Sequence, residues 1–511
     1  MTTQTQPLPY GVGRFSPGWF ALAGILVALI AVGVAAYYRE ATEGMTVTGL
    51  RDVGTMGGAT WGLYIVFVVY FVGVSFAGIT IAAIIRILNL EYLRPVSRMA
   101  ELLTVIALAL AAMMVIADLG QPLRGFINLF RYARPQSPFF GTFTLVISAY
   151  FIASLIFLAL SGRSDAYRMA QREGRLRPFY RAWASGYRGS EAERIRHWRT
   201  TFWLSLAIIP LLVVAHTTLG LVFGLMAARP GWFSALQAPE FVIMAGISGI
   251  GHIIVIAAIF RQYLGEREKL NIRVFRWLGG FLLVLVLVYL YFTAVDMMTA
   301  AYGGPYAERQ MMSLLITGTY APLFWLSLVA LVVSALALGG QAITGRWSIP
   351  LTVTVAVLVN VAALSKRYLI VVPSQTDGML LPYNTGSYTP TWVEVSVVIG
   401  ALALGALVYM LFAKVFPMME TADGRRPVET PESRWVMSRR GVLAVGMVVA
   451  GVAIMLITYF FLAAPWGFPP DTVAHSNPRL TFAPALFIVG IVITFVAAVV
   501  YELWPSGGRN G

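Results

Sequence analysis

Between Ala117 and Phe143 the sequence reads ADLGQPLRGFINLFRYARPQSPFFGTF, placing Asp118, Gln121, Arg124, Arg131 and Arg134 between two apolar runs. A carboxylate, an amide and guanidinium groups on a Pro/Gly framework can hold a polar headgroup or dock a partner, whereas ordinary connections between membrane helices are short and bland. Similar groups stand at the ends of other apolar runs. Trp61 and Tyr64 open one, Asp296 closes another, Lys366 and Arg367 come late in a third, and Glu394 opens a fourth. Two runs carry a mid-span histidine, His216 and His252. Ionisable groups inside membrane segments are costly to keep and mark ligand or proton pathways. The two histidines lie at similar depth, which allows bis-histidine haem ligation, although hydrogen-bonded or proton-route histidines are the commoner case. His197 and His475 read as loop residues.

The elements that position these groups are membrane helices. Of 511 residues, 58% are hydrophobic and only 12% charged, and the mean hydropathy is +0.76. That composition describes an all-α, polytopic integral membrane protein. Cysteine is absent, which excludes thiolate-held iron–sulfur clusters, C-x-x-C-H haem attachment and disulfides within this chain. No metal site is expected, nor a covalently bound cofactor, nor haem. The net charge of +14 fits the basic bias of cytoplasmic loops rather than nucleic-acid binding. No P-loop, G-x-G-x-x-G, H-E-x-x-H or G-x-S-x-G motif supports a nucleotide-driven or hydrolytic reading.

About twelve spans are predicted, since roughly 20 apolar residues cross a hydrocarbon core. The first runs from Trp19 to Tyr38 and reads as uncleaved, and the others lie near 60–86, 98–118, 139–161, 200–228, 239–261, 277–300, 313–339, 350–372, 391–413, 441–463 and 481–503. Gly162 to Arg199 holds ten arginines against four acids, and Arg261–Arg276 and Lys414–Arg440 are also basic. All three fall on the cytoplasmic side if the N-terminus is cytoplasmic. The arginines after Asp118 then lie outside, against the rule. A partner subunit or an anionic ligand would account for them. Asp118, Asp296, Lys366, Arg367 and Glu394 reach the same outer level, as an amphipathic ligand's headgroup pocket would require.

Several blocks carry a resemblance. Trp61-Gly62-Leu63-Tyr64 with Phe76-Ala77-Gly78, Asp118-Leu119-Gly120-Gln121-Pro122, Ser137-Pro138, His216-Thr217, Arg229-Pro230-Gly231-Trp232, Lys366-Arg367-Tyr368 and Pro390-Thr391-Trp392-x-Glu394 together resemble the NrfD/PsrC family. That family supplies quinone-interacting membrane subunits of polysulfide-reductase-type molybdoenzymes and of alternative complex III. The resemblance implies two four-helix bundles plus peripheral helices, and a quinone or quinol (menaquinone or ubiquinone) bound near the outer face. It also implies an extrinsic iron–sulfur subunit and, through it, a molybdopterin or related catalytic subunit. The protein would sit in a bacterial cytoplasmic membrane, in contact with lipid.

On this reading Trp61, Tyr64, Asp118, Gln121, Arg124, Lys366 and Arg367 are the quinone-binding candidates. Asp118, His216, His252, Asp296 and Glu394 are the candidates for proton transfer. The sequence divides into an N-terminal segment with the first helix (1–59), a family-like core with one following helix (60–415), a basic loop (416–440) and two further helices (441–511). Family members often have histidine at the positions of Phe76 and Asp118 and arginine at that of Gln121. A haem-b-bearing anchor and a secondary transporter are the alternatives.

Overall fold

A computed structural model describes residues 11–50, 58–132, 144–377, 386–420, 439–462 and 482–504, and among them every regular element is helical. In chain order these are α1 (Pro17–Glu43), α2 (Leu63–Ile87), α3 (Arg94–Asp118), α4 (Pro122–Tyr132), α5 (Thr144–Ser161), α6 (Arg163–Ala170), α7 (Arg177–Ala184), α8 (Glu191–Gly224) and α9 (Gln237–Leu264). They continue with α10 (Ile272–Gly303), α11 (Tyr306–Ile316), α12 (Ala321–Thr344), α13 (Ile349–Val371), α14 (Pro373–Thr376), α15 (Trp392–Val415), α16 (Arg439–Ile457) and α17 (Ala483–Leu503). Among the described residues, twelve stretches are long and apolar enough to cross a membrane. The chain is a multi-pass membrane protein.

Two four-helix groups form the centre. α2, α3, α5 and α8 pack together, as do α9, α10, α12 and α13, and the groups meet through α2, α8, α9 and α13. Because lipid is as apolar as leucine, such helices associate through close packing and hydrogen bonds rather than through burial from water. At Gly249 of α9 an added Cβ would lie 2.8 Å from Ala77 Cβ on α2, so the glycine lets the two helices touch. α2 is buried along most of its length. Its carbonyls also receive side chains from three neighbours: Tyr150 and Thr104 hydroxyls donate to Ser75 O at 2.8 and 2.7 Å, and His216 Nε2 lies 2.9 Å from Val72 O.

The other spans are peripheral. α1 packs along α15, where Gly33 and Gly400 bring the backbones together, and α16 packs on α17. α17 in turn lies on α5 and α8. There Glu502 accepts from Arg163 Nη1 at 2.6 Å and faces His197 Nδ1 at 2.7 Å.

Three expectations change. α8 starts at Glu191 rather than near 200, because Ser190 and Glu193 form a capping box that satisfies its first N–H groups. His197 is therefore a helix residue facing Glu502, not a loop residue, whereas His475 lies outside the described residues. The seventh span runs on to Gly303 and the eighth begins only at Ala321, because Pro305 starts a separate surface helix, α11. The polar connection after Asp118 is itself a helix: α4 exposes Leu123 (79%), Phe126 and Ile127, the pattern of a helix lying in a membrane interface. Arg134 is outside the described residues.

Candidate functional site

Alternating spans carry the C-terminal ends of α1, α3, α10 and α13 and the N-terminal ends of α2, α9 and α15 to the face opposite the start of α1. Polar groups gather on this far face in two clusters.

The first joins α1, α2, α3 and α15. Glu40, 3% exposed, accepts from the Tyr64 hydroxyl at 2.5 Å. The Tyr388 hydroxyl donates to Glu394 Oε1 at 2.6 Å and accepts from Leu63 N at 2.6 Å. Glu394 Oε2 accepts from Gly49 N at 2.8 Å and from Thr391 N at 3.0 Å, the latter as part of the capping box that starts α15. Asp118, at the last turn of α3, feels the charges of Glu40 and Glu394. Its Oδ1 and Glu40 Oε1 are buried without a hydrogen-bond partner among the described residues. Burial, and then the charge of Glu394, hold the Tyr388 phenol well above its usual range, so it remains a donor. Three carboxyl groups and two phenols thus share a water-poor site, an arrangement that can store and pass protons.

The second cluster joins α9, α10 and α13 beneath the loop before α9. Arg367, 2% exposed, lies with its guanidinium carbon 4.3 Å from the centre of the Phe241 ring. It has no carboxylate within ion-pair distance among the described residues. Lys366, half-buried, lies among Tyr289, Glu240 and Asp296 and feels their charges. Glu240 is buried, and its Oε1 has no partner among the described residues. Asp296 Oδ1 accepts weakly from the Ser234 hydroxyl at 3.4 Å. Over the cluster, Trp232 stacks at 5.8 Å on Trp61 and donates through Nε1 to Ile370 O. Phe223 stands edge-on to both indoles. Glu308 of α11 holds this loop by accepting from Gly231 N at 2.9 and 3.1 Å, and burial raises its carboxyl above the ordinary range. Cations next to apolar and aromatic surfaces suit a planar ligand that carries carbonyl oxygens.

Gln375 links the two clusters. Its Oε1 accepts from Thr60 N and Oγ1 (both 2.9 Å) and from Trp61 N (3.0 Å), and its Nε2 donates to Trp61 O at 2.8 Å.

The fold divides the sequence candidates between these places. Tyr64, Asp118 and Glu394 are in the first cluster, Lys366, Arg367 and Asp296 in the second, and Trp61 stands at the link. Gln121 and Arg124 are exposed on the surface by α4. His216 lies deeper, with Nδ1 2.8 Å from Leu212 O and Nε2 2.9 Å from Val72 O. Both nitrogens meet carbonyl oxygens, and a neutral ring can donate to only one of them. His252 Nδ1 lies 2.9 Å from Ser248 O.

The sequence reading missed Glu40, Glu240, Tyr289, Gln375, Tyr388 and Trp232 as site residues. Ending the first span at Tyr38 hid Glu40, although an acid so close to an apolar run was a usable signal. Tyr289 and Glu240 look like ordinary helix residues until α13 is placed beside them.

The family model described as "Polysulphide reductase, NrfD" matches residues 52–377, well over half of the chain. The chain belongs to this family. Among its relatives, a Halobacterium salinarum protein provisionally named as a membrane subunit of dimethyl sulfoxide reductase is 26% identical over 82% of this chain and 96% of its own length. A selenate reductase subunit of Mesobacillus selenatarsenatis is 23% identical over 77% of this chain and 93% of its own. The Hdr-like menaquinol oxidoreductase integral membrane subunit of Archaeoglobus fulgidus is 23% identical over 78% and 94%. The family match encloses the whole second cluster. Glu40, Tyr388 and Glu394 of the first lie outside it.

Proposed function

We propose that this chain is the membrane-anchoring, quinone-handling subunit of a multi-subunit oxidoreductase. The observation that carries this reading is the second cluster. Arg367 and Lys366 are held in the apolar far-face end of α13, beside Glu240 and Tyr289 and under the Trp61–Trp232 stack. NrfD membership and relatives named as subunits of dimethyl sulfoxide and selenate reductases support the setting in a reductase complex. The relative named as a menaquinol oxidoreductase subunit supports the quinone.

A quinone becomes a quinol by taking up two electrons and two protons, and the reverse releases them. Lys366 and Arg367 would attract the quinone oxygens and stabilise negative charge as it develops there, an effect strengthened where water is excluded. Asp118, Glu40 and Glu394 would supply or accept protons through the Tyr64 and Tyr388 hydroxyls. Electrons would pass to or from an extrinsic iron–sulfur subunit docked on the far face, which continues to a molybdopterin or related centre. The exposed α4, with Arg124, fits such a docking surface. On this reading the far face is outside the cell membrane and the N-terminus cytoplasmic, with the basic α6–α7 region inside.

The test is purification of the intact assembly in mild detergent, followed by quinol oxidation or quinone reduction per assembled complex. Copurification of an iron–sulfur protein and quinone-dependent turnover that falls in Lys366→Met support the proposal. A chain isolated without any redox partner, or turnover unaffected in Lys366→Met, would overturn it.

A further inference from the structure

A second feature lies in the opposite half of the protein. Between α1, α2, α3, α9 and α15 there is a cavity of about 700 Å³, walled by apolar side chains such as Leu103, Ile106, Phe260 and Leu402. Its volume is within the range of about 300–1,000 Å³ found for sites that hold a small molecule. The two ends of the cavity differ in chemistry.

At the inner end, midway along α2 and α9, are Tyr70 and His252. The Tyr70 hydroxyl donates to Asn360 Oδ1 at 3.2 Å, and His252 Nδ1 lies 2.9 Å from Ser248 O. At the rim stands Lys414, near the end of α15 on the N-terminal face. Its Nζ is 5.6 Å from the centre of the Tyr263 ring and its carbonyl accepts from Gly13 N at 2.9 Å. Its side chain is largely buried, and it has no carboxylate within ion-pair distance among the described residues.

We infer that this cavity holds one acyl chain of an anionic phospholipid whose phosphate sits at Lys414. The apolar walls exclude water and take the chain, and the rim cation selects a negative headgroup. The site is distinct from the far-face clusters. The bound chain also explains how the first turns of α1 are held. α1 packs mainly on α15, and the cavity separates Gly18, Trp19 and Leu22 from α2, α3 and α9.

The experiment is native mass spectrometry of the purified full assembly after an extensive detergent wash, with the retained lipids identified by chromatography. One anionic phospholipid per chain is expected in the unaltered protein. Lys414→Gln should lower its retention by about fivefold, the effect of one cation near an anionic headgroup. Ala406→Trp, which fills the cavity from α15, should abolish retention. Lys269→Gln, at an exposed lysine on the same face, should leave it unchanged. Equal retention in the unaltered protein and Lys414→Gln would overturn the inference, as would a retained quinone or uncharged lipid displaced by Ala406→Trp. Should Ala406→Trp fail to assemble, the comparison of Lys414→Gln with Lys269→Gln still decides.

Discussion

The Tyr64 hydroxyl donates to Glu40 at 2.5 Å and ties the end of α1 to the start of α2. Glu40 is buried, and its other oxygen has no hydrogen-bond partner among the described residues. The same hydrogen bond therefore serves the packing of a peripheral helix and fixes a carboxyl group beside Asp118.

Removing that donor should cost stability. Tyr64→Phe leaves a buried carboxyl without its partner, which costs about 1–3 kcal/mol. The double change Tyr64→Phe with Glu40→Leu removes both groups and should regain part of the loss. Thermal melting of the purified assembly measures both. A double variant as unstable as the sum of the single changes would show that the two residues act independently.

Charge at the far face should matter for turnover. Lys366→Met and Asp118→Asn are each expected to lower quinone-linked electron transfer per assembled complex by at least about tenfold, about 1.4 kcal/mol in the barrier. Arg124 is exposed on α4, so Arg124→Ala should weaken partner docking and leave turnover of intact complexes within about twofold. A large turnover defect in Arg124→Ala with assembly intact would place the headgroup nearer α4.

The contact between Arg163 and Glu502 pins α17 to the loop side of the core. Glu502→Gln strips a buried arginine of its counter-charge, and breaking such a pair typically costs about 3–5 kcal/mol. Arg163→Met combined with Glu502→Leu should melt closer to the unaltered protein than Glu502→Gln does. The melting temperatures of the three proteins order the outcomes. If Glu502→Gln melts with the unaltered protein, the bond does not anchor α17.

Glu308 provides a pH test. Burial raises its carboxyl pKa, so the folded protein holds this proton more tightly than the unfolded chain does. Its stabilising contribution is complete below the unfolded carboxylate pKa and is lost as pH rises through the raised folded value. Glu308→Gln does not titrate, so its melting temperature relative to the unaltered protein should rise through that window in scans from about pH 4 to about pH 8. A constant difference would show that folding leaves the Glu308 carboxyl pKa unchanged.

Orientation can be read directly. A reporter fused near Arg181 in α7 is expected in the cytoplasm and one near Gly125 in α4 outside. The reverse pattern would put the far-face clusters on the cytoplasmic side.

Much was legible in the sequence because a bilayer constrains it. Every backbone group within the hydrocarbon must be paired inside its own helix, so the apolar runs gave the twelve spans and their alternation carried Asp118, Asp296, Lys366 and Glu394 to one face. The ends of the spans were less legible. Whether a helix stops at Tyr38 or Glu43, or starts at Glu191 or Thr200, depends on caps and neighbours that add a few residues beyond the hydropathy signal.

Which polar groups share a site was decided by tertiary packing alone. Asp118 and Lys366 look equivalent as charged ends of apolar runs. The fold puts Asp118 with Glu40 and Glu394 between α1, α3 and α15, and puts Lys366 with Tyr289 and Glu240 between α9, α10 and α13. Arg124 follows Asp118 by six residues, yet its helix turns along the surface and leaves it exposed. Depth in the membrane is a property of position along one helix and is written in the sequence. The rotation of each helix about its axis, and the choice of its neighbours, follow from close fits such as Gly249 on Ala77 and Gly33 on Gly400, which exist only once the helices are assembled.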